Sequence, residues 1–449
     1  MVLSRRTLLA SAGSLAMTAG LTTACGTNDL DDLLVKAKRP PKGPVTVRWW
    51  AGKIPARDGG DMRPAIIRAF RRKHPDIHIE IVKGLSTTDG NRVALTTQIG
   101  GGSATPDVYL GDTTWPAQFG ANYLALPVES LVPKGFWDPY PPALMRASSL
   151  KGKVYAFPFY TDAAYLYYRK DLLAKHGLPV PGSWEELERT ARGIQRAGDA
   201  DYGFVWQGSV SESLTCVVTE FLADAGGGVL GHSGGSARSR GVTVADEPAQ
   251  RAVGYLRGLV DAGVTPSAVT TYAEQDAMDA FAGGRAVFLR NWAYAWGMSD
   301  ADGASRVSGK VGVVPRPGFE GRPASGYACL GGWSNFINPH AENLGAAVAF
   351  ARFLAEEEAQ MMLLRRAGVL PAMDTVLDSP AAARTGDPTV TTARRLRLVA
   401  RPVQTPYYPQ VSKAIYTRVN SAIGGSESVG AALRAARSDI TAALEGRAL

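Results

Sequence analysis

The sequence predicts an α/β protein of two lobes. Three observations carry this. The chain has 449 residues, more than one ordinary hydrophobic core accommodates. Its first folded stretch alternates strand and helix in the order β-α-β-α-β, which implies a parallel sheet covered by helices. A second α/β region then begins near Tyr155.

In chain order, Val45-Thr46-Val47-Arg48-Trp49-Trp50 reads as a strand rich in β-branched and aromatic residues. Ile66, Ile67 and Phe70 form one helical face, ended by His74-Pro75. Ile77, Ile79 and Ile81 alternate as a second strand. Val93 and Ile99 mark a second helix, and Asp107-Val108-Tyr109-Leu110 a third strand. In the second region a helix follows Pro181-Gly182-Ser183-Trp184-Glu185-Glu186, where Ser183 and Glu186 have the spacing of a capping box. Further on come a helix around Ala252–Leu259, the strand Ala286–Leu289, strands at Gly312–Val314 and Trp333–Ile337, and a helical tail from Ser428 to Leu444.

Ahead of these elements, residues 1–24 read as an export signal. Ser4-Arg5-Arg6-Thr7-Leu8-Leu9 opens a short run rich in Ala, Leu, Ser and Thr, and the paired arginines point to the twin-arginine route. The run is too short and too polar for a membrane span. Ala24-Cys25-Gly26 places Cys25 where a bacterial lipoprotein is cut and lipidated, with Thr22 where a large aliphatic residue is usual; an uncleaved anchor or a cut elsewhere is the alternative. Residues 25–44 are then the anchor cysteine and a polar, proline-bearing tether. The protein is thus expected at the extracellular face of the membrane.

The formal charge of +8 is spread along the chain. Arg71-Arg72-Lys73 and Arg365-Arg366 are short, so a solvating basic surface is expected, and no nucleic-acid partner. The five histidines show no metal-ligand spacing, and no metal or cofactor is expected. With Cys25 lipidated, Cys216 and Cys329 remain. They read as buried free thiols, with an oxidised bridge as the alternative. Passage of a folded twin-arginine substrate out of a reducing cytoplasm favours the thiols. Two motif matches are decoys. Gly231-His232-Ser233-Gly234-Gly235 fits a nucleophile elbow, and Gly226, Gly228 and Gly231 fit a dinucleotide fingerprint. Both lack the preceding strand that their chemistry needs.

The candidate site lies at strand ends, where open α/β sheets bind ligands. Asp112 follows Val108-Tyr109-Leu110, with Trp115 three residues on; it suits a helix cap, a ligand contact or both. Tyr160-Thr161-Asp162 precedes the aromatic run Tyr165-Leu166-Tyr167-Tyr168. Asn291-Trp292 follows a strand, and Gly331-Gly332-Trp333 sets a ring beside residues that allow close approach. A lone tryptophan is usually core, but here several strand ends each supply a ring or a carboxylate. That mixture suits a sugar, whose C–H faces lie on rings and whose hydroxyls bond charged groups. Such bonds contribute about 1.5–3 kcal/mol each.

At these residues the chain resembles the extracellular sugar-binding proteins of ABC importers, solute-binding family 1, and within them the trehalose/maltose-binding proteins. The likeness runs from about Val45 to the C-terminal helix. It is strongest in residues 106–119, 155–173, 202–208, 290–297, 330–333 and 402–410. The resemblance implies a periplasmic-binding-protein-like fold whose lobes close over a ligand in a cleft at the hinge. The lobes are expected at 45–157 plus about 308–358, and at 158–307 plus about 359–449, each a mainly parallel sheet flanked by helices. It implies sugar contacts at Asp112, Tyr160, Asp162, Trp292, Gly332 and Trp333. In Ala400-Arg401-Pro402-Val403, Arg401 takes the place of the family's ligand-binding arginine, although from the residues alone it reads as a surface charge. Trp115 and Arg92 are secondary candidates.

The chain departs from the family pattern in three places. Trp50-Ala51-Gly52-Lys53 has no acidic match, Asn91 competes with Arg92 for an expected arginine, and Gln404 is inserted before Thr405-Pro406-Tyr407-Tyr408. The resulting expectation is a monomeric, non-enzymatic lipoprotein that binds an α-linked disaccharide such as trehalose or maltose and delivers it to a membrane permease. A secreted glycoside hydrolase using Asp112 and Asp162 is the alternative. A peptide- or polyamine-binding relative is a third reading.

Overall fold

The computed structural model describes residues 27–85, 87–231, 241–300, 305–323 and 325–447. Arg5-Arg6, Cys25 and most of the elbow-like run after Gly231 lie outside the described residues.

Two sheets organise the molecule. The first has six strands in the order Leu370–Pro371, Phe157–Asp162, Gly331–Ile337, Val108–Asp112, Val45–Ala51 and Ile77–Lys83. The second has four, in the order Val311–Val314, Tyr165–Arg169, Ala286–Asn291 and Tyr202–Val205. Helices cover both, as the alternating pattern predicts. The parallel pairing is narrower than expected. Val45–Ala51 pairs parallel with its two neighbours, and Tyr202–Val205 with Ala286–Asn291. Gly331–Ile337 and Leu370–Pro371, which return to the first sheet from distant sequence, pair antiparallel there, and so do both neighbours of Tyr165–Arg169 in the second. Local β-α-β units impose parallel pairing, whereas a returning strand is free to run either way.

The division of the chain between the sheets also differs from the expected ranges. Residues 157–162 complete the first sheet, and residues 311–314 belong to the second. Residues 359–393 pack on the first core through Leu363, Leu364, Val376 and Val390. Gln360 fixes this placement by donating from Nε2 to the Phe159 carbonyl at 2.7 Å. The helices Tyr408–Gly424 and Val429–Leu444 join the second core.

The supposed tether contains a helix, Thr27–Ala37. Leu30, Leu33, Leu34 and Ala37 repeat at helical spacing and pack on the first core. The following backbone crosses so close over helix Leu344–Ala355 that a Cβ on Gly345 would strike the Arg39 carbonyl. Composition alone hid this short amphipathic stripe among charges. Among the described residues, no helix is long and apolar enough to cross a membrane.

The helix after Ser183 forms over Trp184–Arg196, with Ser183 Oγ accepting from the Glu186 N–H at 3.1 Å. The return bond differs from a capping box: Glu186 Oε2 accepts from Gly182 N–H at 2.7 Å. In the second sheet, residues alternate between two cores. Leu166, Phe204 and Phe288 face the second, while Tyr165, Tyr167, Val205 and Leu289 face the first.

Helix Glu212–Asp224 is the most enclosed of the described helices, with eleven of its thirteen residues buried. It carries Glu220 and Asp224 one turn apart into the core. Glu220 takes Arg290 through both oxygens, at 3.0 and 2.5 Å. Arg316 lies 3.4 Å from Glu220 and 3.2 Å from Asp224, with its guanidinium 4.9 Å from the ring centres of both Trp184 and Phe221. All four charged side chains are fully buried. Removing one partner from such a cluster strands a charge in low dielectric. Glu220→Gln is therefore expected to lower the unfolding free energy by about 3–5 kcal/mol, read as an earlier urea midpoint. A change near zero would show that the cluster is dispensable.

Candidate functional site

The register of the first sheet builds the site. Gly331–Ile337 runs opposite to its neighbours, so its N-terminal end meets their C-terminal ends. Trp333 pairs with Asp112 on one side and Tyr160 on the other, Gly332 with Thr161, and Gly331 with Asp162. The chain then crosses to the second sheet in two residues, Ala163 and Ala164. There Tyr165 pairs with Asn291, which brings Trp292 to the same edge.

Between the sheets lies a cleft of about 1050 Å³, lined by Asp112, Tyr160, Asp162, Trp292, Gly332, Trp333 and Arg401. These seven sequence candidates thus converge on one cavity, at the upper end of the size range that holds small ligands. The other two do not line it. Trp115 is 2% exposed and stacks on Phe119 at 5.2 Å; it is a core residue that supports Trp333 edge-on at 6.1 Å. Arg92 lies beside the cleft, 3.6 Å from the cleft-lining Asp89. Asn91 is structural: its amide bonds the Trp50 indole and the Leu85 and Thr87 backbone. Gln404 also has a local role, donating to the Arg146 carbonyl at 2.7 Å.

Arg401 is the largest correction to a residue-by-residue reading. It is 3% exposed, at the base of the cleft. Its Nη1 donates to Glu212 Oε1 at 2.6 Å, and its Nη2 to Asp112 Oδ1 at 3.1 Å. Burial works against its charge, but the adjoining Asp112 carboxylate and the other acidic groups around it together raise its pKa. Its Nε is buried without a partner among the described residues. Asp112 also caps a turn, accepting from the Thr114 N–H at 2.8 Å, but it is not the expected helix cap, because Trp115 holds the N-cap position of the helix Pro116–Ala121 that follows. Glu212 also accepts from Tyr408 Oη and from Ser412 Oγ; burial raises its pKa although Arg401 opposes this.

Asp162 is 8% exposed. Its Oδ1 accepts from the N–H groups of Ala163 and, across the cleft floor, Ala293 at 3.0 Å. Burial still pushes its pKa up to about 7, against those bonds and the more distant Arg290. Trp292 lies with the Arg290 guanidinium 4.3 Å from its ring centre and its indole N–H 3.4 Å from Glu274 Oε1. Its ring also closes over Gly331, where a Cβ would come within 3.0 Å. Cys216 and Cys329 are both buried free thiols.

Sequence reasoning missed Glu212, Glu274 and Tyr294, which also line the cleft. Glu212 had a usable signal. An acid that opens an apolar helix is exposed or has a buried cation waiting, and Arg401 was that cation. Glu274 and Tyr294 had none, because each looks like an ordinary surface residue in sequence.

The comparisons with known proteins agree with this geometry. Residues 54–361 match the family model for bacterial extracellular solute-binding proteins. A probable ABC transporter-binding protein of Deinococcus radiodurans is 32% identical over 304 residues, covering 66% of this chain and 70% of that one. The structure of maltose-bound MalE3 of T. maritima superposes with a TM-score of 0.79 at 30% identity, covering 88% of this chain and 98% of that one. An ABC transporter solute-binding protein of Thermotoga lettingae, bound with α-D-tagatose, superposes with a TM-score of 0.77 and covers 89% of this chain and 99% of that one; at 24% identity it speaks for the fold alone.

Two outcomes follow from the site's geometry. Asp162 binds its proton more tightly folded than unfolded, so its ionisation is a stability penalty. That penalty is fully present above pH 7 and is relieved as pH falls from about 7 toward the ordinary value of 3.8. Asp162→Asn should therefore be more stable than the parent at pH 8, with the gap shrinking by pH 5 in paired denaturant titrations. A gap independent of pH would contradict this. Gly332 has φ +131°, and a Cβ there would lie 2.5 Å from the Tyr160 carbonyl oxygen. Gly332→Ala should cost about 1–3 kcal/mol and lower the thermal midpoint, because the obstacle is backbone; an unchanged midpoint would mean the edge yields.

Proposed function

The chain belongs to the bacterial extracellular solute-binding protein family, and on that premise we propose that it captures an α-linked disaccharide, trehalose- or maltose-like, for the permease of an ABC importer. The observation that carries this reading is the wall of the cleft. Trp292, Trp333 and Tyr160 offer ring surface beside the carboxylates of Asp112, Asp162 and Glu274. Sugar C–H faces and hydroxyl rims need that combination. The maltose held by the T. maritima neighbour supports the same substrate class.

The chain crosses between the sheets three times, near residues 163–164, 315–330 and 400–407. The second and third crossings are hydrogen-bonded to each other through the parallel strands Tyr327–Cys329 and Arg397–Val399. Arg401 follows directly and joins Asp112 of the first sheet to Glu212 of the second core. In this reading the three crossings are the hinge, and ligand contacts on both sides favour closure. The lobes are the two sheets with their helices. Arg5-Arg6 serves export, and lipidation of Cys25 holds the receptor at the outer face of the membrane, with the docked helix Thr27–Ala37 following the anchor almost directly.

Hydrolysis through Asp112 and Asp162 gains no support. Asp112 is already committed to Arg401 and to the Thr114 N–H. Sugar recovered intact after long incubation with the protein would agree.

Titration of the mature protein with a panel of sugars should change tryptophan fluorescence for at least one α-linked disaccharide. Trp333→Ala should weaken that binding tenfold or more (about 1.4 kcal/mol). No response to any mono- or oligosaccharide would sink the proposal, and unchanged affinity in the variant would remove Trp333 from the contact surface. Mass spectrometry of the mature N-terminus tests the anchor: a lipid-free N-terminus beyond Cys25 would rule it out.

A further inference from the structure

The cleft is acidic on a chain whose formal charge is +8. Seven carboxylates line it against three cations, a formal excess of four negative charges. Each cation is already engaged. Lys53 Nζ donates to the Gly59 carbonyl at 2.7 Å. Arg57 bonds Asp387 at 2.9 Å and the carbonyls of Leu364 and Arg365. Arg401 is held by Asp112 and Glu212. Asp89 is within 3.6 Å of Arg92. Among the described residues, Asp58, Asp162, Glu274 and Asp279 have no cation at ion-pair distance.

Two of these four flank the aromatic wall. The hydrogen bonds to Asp162 fall on Oδ1, so Oδ2 is left for the cleft, although the residue is more than nine-tenths buried. Glu274 uses Oε1 for the Ser213 hydroxyl and the Trp292 indole N–H, which leaves Oε2. Arg290 covers one face of Trp292, and its charge is met by Glu220. The half-buried Trp292 ring lines the cleft, and so does Tyr294.

Hydroxyls of a neutral sugar can hydrogen-bond these oxygens but leave the charge of Glu274 uncompensated as the cleft closes, whereas Asp162, its pKa pushed up to about 7 by burial, can meet a neutral ligand protonated and an ammonium ionised. An ammonium brings three donors and a full charge, and gains from an indole face. We propose that the ligand is an aminated disaccharide or short oligosaccharide, whose protonated amino group sits between Asp162 and Glu274 against Trp292. This rests on the sugar-binding reading and narrows it.

Calorimetric titration of the mature protein tests it with matched ligands: trehalose and maltose, their 2-amino-2-deoxy derivatives, and the N-acetylated forms of those amines. At low ionic strength at least one amine should bind about tenfold or more tighter than its parent sugar and its N-acetyl form (about 1.4 kcal/mol). Salt should narrow the gap. Glu274→Gln and Asp279→Asn should each reduce the ratio of amine to neutral affinity. Asp279 is exposed, so its variant keeps the test open if Glu274→Gln fails to fold. Neutral sugars that bind as well as the amines would overturn this inference and leave the sugar reading intact. Failure of every ligand to bind would overturn both. An unchanged ratio in both folded variants would overturn the placement of the amine.

Discussion

The structure depends on carboxylates that one buried helix carries into the interior. Glu212, Glu220 and Asp224 lie along Glu212–Asp224, and each needs a guanidinium from elsewhere in the chain. Arg290 comes from the end of a strand of the second sheet, Arg316 from the loop that leaves that sheet, and Arg401 from the last crossing between the sheets. A buried carboxylate without its partner is costly, so these three segments have little freedom to settle elsewhere. The pairs confer specificity of arrangement more than net stability. They locate two of the segments that join the lobes.

The same pairs shape the cleft. The Arg290 guanidinium lies over the Trp292 ring, and Arg401 holds Asp112 in the cleft lining. Backbone amides from both sides of the crossing at Ala163 and Ala164 meet on Asp162. Asp162 and Arg401 each hydrogen-bond groups from both sides of the cleft, so a displacement of one sheet against the other would alter those bonds, and under the proposed closure this links the hinge to the contents of the cleft.

Most of the local structure was legible from periodicity. The strands beginning at Val45, Ile77, Val108 and Ala286, the helix after Ser183 and the C-terminal helix appear where apolar spacing and capping residues put them. Asp112, Tyr160, Asp162, Trp292, Gly332 and Trp333 were legible as strand-end residues of the right chemistry. The helix Thr27–Ala37 was not, because four apolar residues among charges make a weak signal without the groove they fill. Trp115 was misleading: a ring three residues from a cleft aspartate turns inward, where Phe119 and Phe336 leave room for it.

The sequence by itself determined the α/β alternation, the strand-end rings and carboxylates, and the family. These are local properties, written in spacing and residue type. Only the tertiary structure decided which strands share a sheet, that Gly331–Ile337 runs opposite to Val108–Asp112, and that Arg401 is buried between Asp112 and Glu212. Strand direction and ion pairing join residues as much as 330 positions apart. Their energies depend on enclosure by the whole fold. The net charge of the cleft belongs to the same class, because a basic chain becomes acidic there only once its cations have found partners in the folded protein.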